Sequence, residues 1–292
     1  MSLQSIHDVA APAKLNLFLH VVGRRDDGYH LLQSLFVLID WHDTLHFERR
    51  GDGRLKRHDL SAALPADDLC LRAARLLQTE SGSALGADIS IDKRVPSGAG
   101  MGGGSSDAAA TLLALNRLWG LNWPGARLMA LGLALGADVP FFIGGRNALA
   151  EGIGERLTPV PVPAQWLAVI KPAASIETRA IFGSPLLGRQ AEAAILESFS
   201  GNGLQPKPGA DFGTNDLQAA AESECAQVVE AAALLHRQFG NSRMTGSGSA
   251  VFARAGAAPA PSAKMPANLA SGWVGRMCRS LDVHPLIGWA AD

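Results

Sequence analysis

From Ala13 to Val21 the chain reads AKLNLFLHV, with Leu15, Leu17, Leu19 and Val21 alternating against Lys14, Asn16, Phe18 and His20. A period of two predicts a strand with one face buried. Gly23 to His30 is dense in Gly, Arg and Asp and reads as a turn, after which Leu31 to Asp40 and Thr44 to Arg49 read as two further strands. Between Asp67 and Glu80 the residues Leu69, Ala73, Leu76 and Leu77 recur at helical spacing, and Ala87 to Ile91 returns to alternation. Ser105, Ser106 and Asp107 are helix-starting types, and the Ala and Leu positions from Ala108 to Trp119 predict a helix that stops at Gly120.

Thr158 to Ala164 holds three prolines and precedes a new strand, Trp166 to Ile170. A domain boundary is expected there, giving residues 1–162 and 163–292. Beyond it, Gly183 to Gly213 is polar and irregular, Asp216 to Phe239 is helical, Arg243 to Ala253 is turn plus strand, and Ala255 to Ala270 is low in complexity. No internal repeat is found.

Composition narrows the classes. The chain has 292 residues, 47% of them hydrophobic, enough for one large or two modest cores. Lys and Arg total 26 against 27 Asp and Glu, so no excess of positive charge draws it along a nucleic-acid backbone. Cys70, Cys225 and Cys278 are far apart and in no metal-ligand spacing, which argues against a disulfide framework and for a reducing cytoplasm. No apolar run approaches the roughly 18 residues of a membrane helix, and Met1 to Ala10 lacks a leader pattern. A soluble, cytoplasmic protein with neither a membrane nor a nucleic-acid partner is expected.

One segment carries chemistry. Pro96-Ser97-Gly98-Ala99-Gly100-Met101-Gly102-Gly103-Gly104-Ser105-Ser106 places five glycines between Gly98 and Gly104, directly before a helix. Glycine opens backbone angles closed to other residues and keeps no side chain between the amides and a ligand. The helix start adds unpaired N–H groups and a partial positive charge, so the run suits a polyphosphate without a lysine. Gly98, Gly100 and Gly103 also satisfy G-x-G-x-x-G, but Asn116 to Gly125 has no acid for a dinucleotide's ribose. No Gly-Lys-Ser or Gly-Lys-Thr ends the run, so a P-loop is not supported either. His42 and His46 lie in strand and turn rather than on one helix face, and no metal pair is read from them.

The run Pro-x-x-x-Gly-Met-Gly-Gly-Gly-Ser-Ser resembles the ATP loop of the GHMP small-molecule kinases. Pro12 to Leu17, Asp26 to His30, Leu135 to Phe142, Glu151 to Glu155 and Thr245 to Gly248 add to the resemblance, in order, from about Ala11 to Phe252. They point to the branch whose alcohol substrate carries a cytidine diphosphate. The resemblance implies a two-domain α+β GHMP kinase fold, with a ribosomal protein S5 domain 2-like N-terminal half and a ferredoxin-like C-terminal half. It implies ATP-dependent phosphorylation of a hydroxyl in the non-mevalonate route to isoprenoids, by a monomer or weak homodimer. Magnesium is expected with ATP, held by phosphate oxygens and water, and no protein ligand is assigned to it.

Site residues follow from the same likeness. Taken alone, Lys14 reads equally as a solvated strand lysine, and Asp138 as a helix or turn cap. By resemblance, Asp138 is the base that accepts the hydroxyl proton and Lys14 its electrostatic partner. Tyr29, the one tyrosine of the chain, would stack on a cytosine ring, His30 would bond its edge and Phe182 would cover the other side. Asn16, Thr178 and Gly246 are expected against the substrate, and Pro96 to Ser106 against ATP. Asp68 and Asp107 stand where some relatives carry asparagine near the nucleotide, and Ala255 to Ala270 is Ala/Pro-rich where an amphipathic helix is expected. A dehydrogenase using the G-x-G-x-x-G run and a non-catalytic nucleotide sensor remain alternatives from other classes.

Overall fold

The computed structural model describes residues 3–187 and 213–291. Two sheets dominate it. The first is built on a long antiparallel hairpin, β1 (Ser5–Arg24) and β2 (His30–Arg50), joined by the Arg25–Tyr29 turn. β3 (Leu55–Asp59), β4 (Gly86–Asp92), β5 (Ala148–Gly152) and β6 (Arg156–Pro159) complete it in the order β3-β4-β2-β5-β6, with β1 on β2. The second sheet has the order β10-β7-β9-β8, from β7 (Gln165–Lys171), β8 (Arg243–Met244), β9 (Val251–Ala257) and β10 (Val274–Arg279).

Both faces of the first sheet are covered. Phe36, Leu38, Leu45 and Phe47 of β2 pack with α1 (Leu69–Ser81), α2 (Gly103–Leu118), α3 (Gly125–Leu133) and α4 (Val139–Gly144). Leu15, Leu17, Leu35 and Val37 turn the other way and meet Leu167, Val169 and Phe252 of the second sheet. The expectation of a half-buried β1 is therefore corrected: Lys14, Asn16 and Phe18 are as buried as the leucines. Alternation records which face a side chain takes, and a second layer then buries the polar face as well. A register shift between Asn16 and Leu19 sends Leu19 into a third cluster with Ile170, Leu217 and Val251.

Other expectations are also refined. The two strands read between Leu31 and Arg49 are one, because Trp41 and Asp43 are buried inside an unbroken β2. Helix α2 starts at Gly103, with Gly102 as a left-handed N-cap and no side-chain cap, so Ser105, Ser106 and Asp107 lie within its first turns. That helix is buried nearly all round, as an Ala/Leu-rich central helix should be. After the short α5 (Thr178–Gly183), the helix read over Asp216 to Phe239 is two, α6 (Gln218–Glu224) and α7 (Ala226–Phe239), broken where Cys225 is extended. Past β9, residues 258–270 form turns, as their prolines require, and no amphipathic helix. The irregular stretch read from Gly183 to Gly213 lies mostly outside the described residues.

The chain end returns to the first sheet. Ser280 bridges to Ile39, Leu281 N donates to Leu38 O, and His284 N donates to Gly145 O. His284 is buried against Phe142, and burial lowers its pKa to about 4.

Candidate active site

The glycine run sits where the two sheets meet. Lys14 N donates to Met101 O at 2.9 Å, while Ser249 N and Ala250 N donate to Gly98 O and Ala99 O at 3.3 and 3.2 Å. Gly100 has φ +71°, and a Cβ there would lie 2.3 Å from Thr245 O. A Cβ on Gly246 would in turn lie 2.7 Å from Gly100 O, so the two glycine turns interlock as bare backbone. Pro96 to Ser105 line one wall of a cavity of about 550 Å³, closed by Leu64, Pro65, Asp68, Lys93 and Asp107. Ser106 does not line it and is buried, with an unpartnered hydroxyl. Because α2 lacks a side-chain cap, its first amides stay available to a ligand.

A second cavity, of about 260 Å³, adjoins the first across Gly100, Gly102 and Thr178. Lys14 and Asp138 face each other in it, with Nζ to Oδ2 at 3.5 Å. Lys14 is 3% exposed, its ammonium donates to Asn16 Oδ1 at 2.6 Å and lies 4.5 Å from the centre of the Phe36 ring. Asn16 is fixed on every side: its Nδ2 donates to Ser34 Oγ at 2.8 Å and its N donates to Thr245 Oγ1 at 2.9 Å. Ser34 Oγ donates onward to Phe18 O at 2.5 Å. Asp138 stands at the N-cap of α4 yet makes no capping bond, and its side chain is 29% exposed. The carboxylate is thus held beside an ammonium with an oxygen open to the cavity.

A third cavity, of about 910 Å³, shares Leu32, Ile153, Thr178 and Phe182 with the second. Tyr29 and His30 line it with Arg24, Asp27 and Arg179. Phe182 stacks on His30, ring centres 5.1 Å apart and planes 23° from parallel, while Tyr29 is 60% exposed. Thr178 Oγ1 lies 2.8 Å from Ser247 Oγ, where the three cavities meet. Every residue expected at the site except Ser106 lines this one chain of cavities.

Sequence reasoning missed a charged group beneath the glycine run. Lys93 Nζ bonds both Asp43 Oδ2 and Asp107 Oδ2, and Asp43 Oδ1 accepts Arg94 N and Val95 N at 2.5 and 2.7 Å. The group draws on residues distant in sequence, and Asp43 itself, within Trp41-His42-Asp43-Thr44-Leu45, stands out by no pattern. Asp68 caps α1 and is clamped by Arg57, Nη1 to Oδ1 at 2.7 Å.

Comparison with known proteins now decides the family. The model of the GHMP kinases N terminal domain matches residues 68–146. The 4-diphosphocytidyl-2-C-methyl-D-erythritol kinase of Methylibium petroleiphilum is 67% identical over 99% of this chain and 100% of its own. The chain belongs to the 4-diphosphocytidyl-2-C-methyl-D-erythritol kinases, within the GHMP kinase family. The enzyme of that name from Variovorax paradoxus is 54% identical, over 99% of this chain and 100% of its own. A crystal structure of 4-(cytidine 5'-diphospho)-2C-methyl-D-erythritol kinase superposes with a TM-score of 0.72 at 35% identity, covering 84% of this chain and 89% of that one. Homoserine kinase from Cytophaga hutchinsonii, 16% identical with a TM-score of 0.69 over 96% of each chain, shares the GHMP fold. The expected α+β kinase fold is thereby established.

Proposed function

We propose that the chain transfers the γ-phosphoryl group of ATP to the 2-hydroxyl of 4-diphosphocytidyl-2-C-methyl-D-erythritol, giving ADP and the 2-phosphate. The observation that carries this reading is the Lys14–Asp138 pair in the middle cavity, between a glycine-walled cavity and an aromatic one. The triphosphate lies along Gly98 to Ser105 against the start of α2, with its γ end toward Gly102, 3.3 Å from whose Cβ position lies Lys14 Cγ. The cytidine end takes the cavity of Tyr29, His30 and Phe182, so these residues favour a nucleotide-bearing alcohol over a bare one. The erythritol hydroxyl then reaches Asp138.

In the transfer, the hydroxyl oxygen attacks γ-phosphorus in line with the departing ADP oxygen, and its proton passes to Asp138. Lys14 offsets charge growing on the equatorial oxygens, and Asn16, held by Ser34 and Thr245, keeps the ammonium aimed. Preorganised donors cost no reorganisation at the moment of reaction, which is where a phosphotransferase gains most. Among the described residues no three His, Cys, Asp or Glu side chains gather around a metal-sized gap. Magnesium brought in with ATP would be held by its phosphate oxygens and water, where it would supply charge neutralisation.

We also assign residues 1–162 to an ATP-binding N-terminal domain and 163–292 to a C-terminal domain that adds Thr178 and Phe182 to the alcohol's side of the site, acting in the cytoplasm. No described helix is long and apolar enough to cross a membrane. Coupled ADP release tests the activity: the cytidylyl alcohol should be turned over, with mevalonate, homoserine and galactose at background. Equal turnover of a control, or none of the cytidylyl alcohol, overturns the assignment.

A further inference from the structure

Below the first turn of α2, two carboxylates share one ammonium. Asp43, on β2, is well served: Lys93 and the amides of Arg94 and Val95 all donate to it. Asp107 has Lys93 alone, and its Oδ1 is buried without a hydrogen-bond partner although the residue borders the glycine-walled cavity. It is 2% exposed, so water offers little relief. Among the described residues Lys93 is the one cation bonded to its carboxylate. From α1 come the buried thiol of Cys70 and the capping Asp68, the latter held by Arg57 of β3; from α2 itself come Ser106 and Thr111, whose Oγ1 donates to the Asp107 main-chain oxygen. With both acids ionised the group carries one uncompensated negative charge against the wall that a polyphosphate must approach.

We propose that Asp107 takes up a proton when a nucleotide triphosphate enters the glycine-walled cavity, so that nucleotide binding here is proton-linked. The inference rests on the placement of ATP given above. A neutral Asp107 leaves Lys93 and Asp43 as a balanced pair, and its carboxyl gains a donor, as the amide of an asparagine would have, beside an acceptor-rich ligand. Burial already pushes the Asp107 carboxyl up to about 8, with Asp43 adding to the rise and Lys93 opposing it. The phosphates, being anionic, push it further the same way. The sign is then fixed: binding is strongest where free Asp107 already holds its proton and weakens as pH rises past that point. Asp107 is a positioning and charge-balancing residue in this scheme and touches no reacting atom.

The test is calorimetric titration of the full chain with ATP, excess magnesium and no alcohol, from pH 7.5 to 9.5, above the last titration of ATP itself. Wild-type affinity should fall roughly sixfold across that range if the bound-state shift is about one unit. The Asp107→Asn chain should lose the slope. Repeating the wild-type titration at pH 8.5 in buffers of different ionisation enthalpy should reveal uptake of a fraction of a proton per ATP, a readout that does not depend on the variant folding. A flat wild-type profile, an equal slope in Asp107→Asn, or no proton uptake overturns the proposal. Failure to bind ATP even at pH 7.5 overturns it together with the function on which it rests.

Discussion

Two lysine–carboxylate groups flank the glycine run, and they differ in one respect that sets what each can do. Lys14 and Asp138 stand 3.5 Å apart with the carboxylate 29% exposed, while Lys93 lies sealed between Asp43 and Asp107, which are 0% and 3% exposed. The open pair keeps a carboxylate oxygen free for a proton arriving from a substrate. In the closed group Asp43 spends its acceptors on Lys93 and the amides of Arg94 and Val95, and Asp107 keeps one buried oxygen without a partner. Similar side chains thus differ in setting: one pair leaves a carboxylate open to its cavity, while the other group, sealed against solvent, ties β2 to α2 beneath the glycine run.

Breaking the open pair should cost the most. Asp138→Asn keeps the shape and removes the base, so kcat should fall by about 10²–10⁴ with the melting temperature unchanged. Lys14→Ala should lower kcat in the same way, and wild-type turnover in either folded variant would remove the pair from the mechanism. The closed group should answer in stability instead. Asp43→Asn leaves a buried ammonium with a poorer acceptor, and urea unfolding should register a loss of about 3–5 kcal/mol.

Asp107→Asn separates the members of the closed group by pH. The folded carboxyl of Asp107 titrates near 8, above its ordinary range, so between about pH 4 and 8 the native state holds a proton that the unfolded chain has released. Wild-type stability must therefore decline with pH in that window from this group, by at most about 1.4 kcal/mol per unit. The asparagine variant has no such contribution. Its stability relative to wild type should rise from pH 5 to 8, and parallel urea curves across that range would contradict the assignment.

The same contrast explains what the chain disclosed before folding. The open pair was legible because each member sits inside a contiguous block, Pro12 to Leu17 and Leu135 to Phe142, whose local pattern survives in one dimension. The closed group draws Asp43 from mid-strand, Lys93 from a strand end and Asp107 from a helix, so no window of sequence holds two of its members with a telling spacing. Hydrophobic alternation found the middle of β1 and misjudged its polar face, because Lys14 and Asn16 are covered by groups distant in sequence, Phe36, Met101 and Thr245 among them. Ser34, which secures Asn16, is equally silent: a serine in an apolar strand reads as an ordinary neighbour. The helix over Asp216 to Phe239 was read as continuous since Cys225 interrupts it by backbone angle and not by composition.

The smallest expected effect lies at the aromatic end and sharpens the comparison from outside it. Tyr29 is 60% exposed, whereas Phe182 is already stacked on His30. A base that stacks on Tyr29 must first order the ring, so its gain should fall near the low end of the roughly 1–3 kcal/mol range for base stacking. At about 1 kcal/mol, Tyr29→Ala should raise KM for the cytidylyl alcohol roughly fivefold and leave kcat alone. Phe182→Ala removes a ring already in place together with its stack on His30, so its KM should rise further. Because Tyr29 lines the aromatic cavity and not the one that holds Lys14 and Asp138, a fall in kcat of Tyr29→Ala comparable with that of Asp138→Asn would mean the aromatic cavity positions the reacting hydroxyl, and binding and chemistry could no longer be assigned to separate cavities.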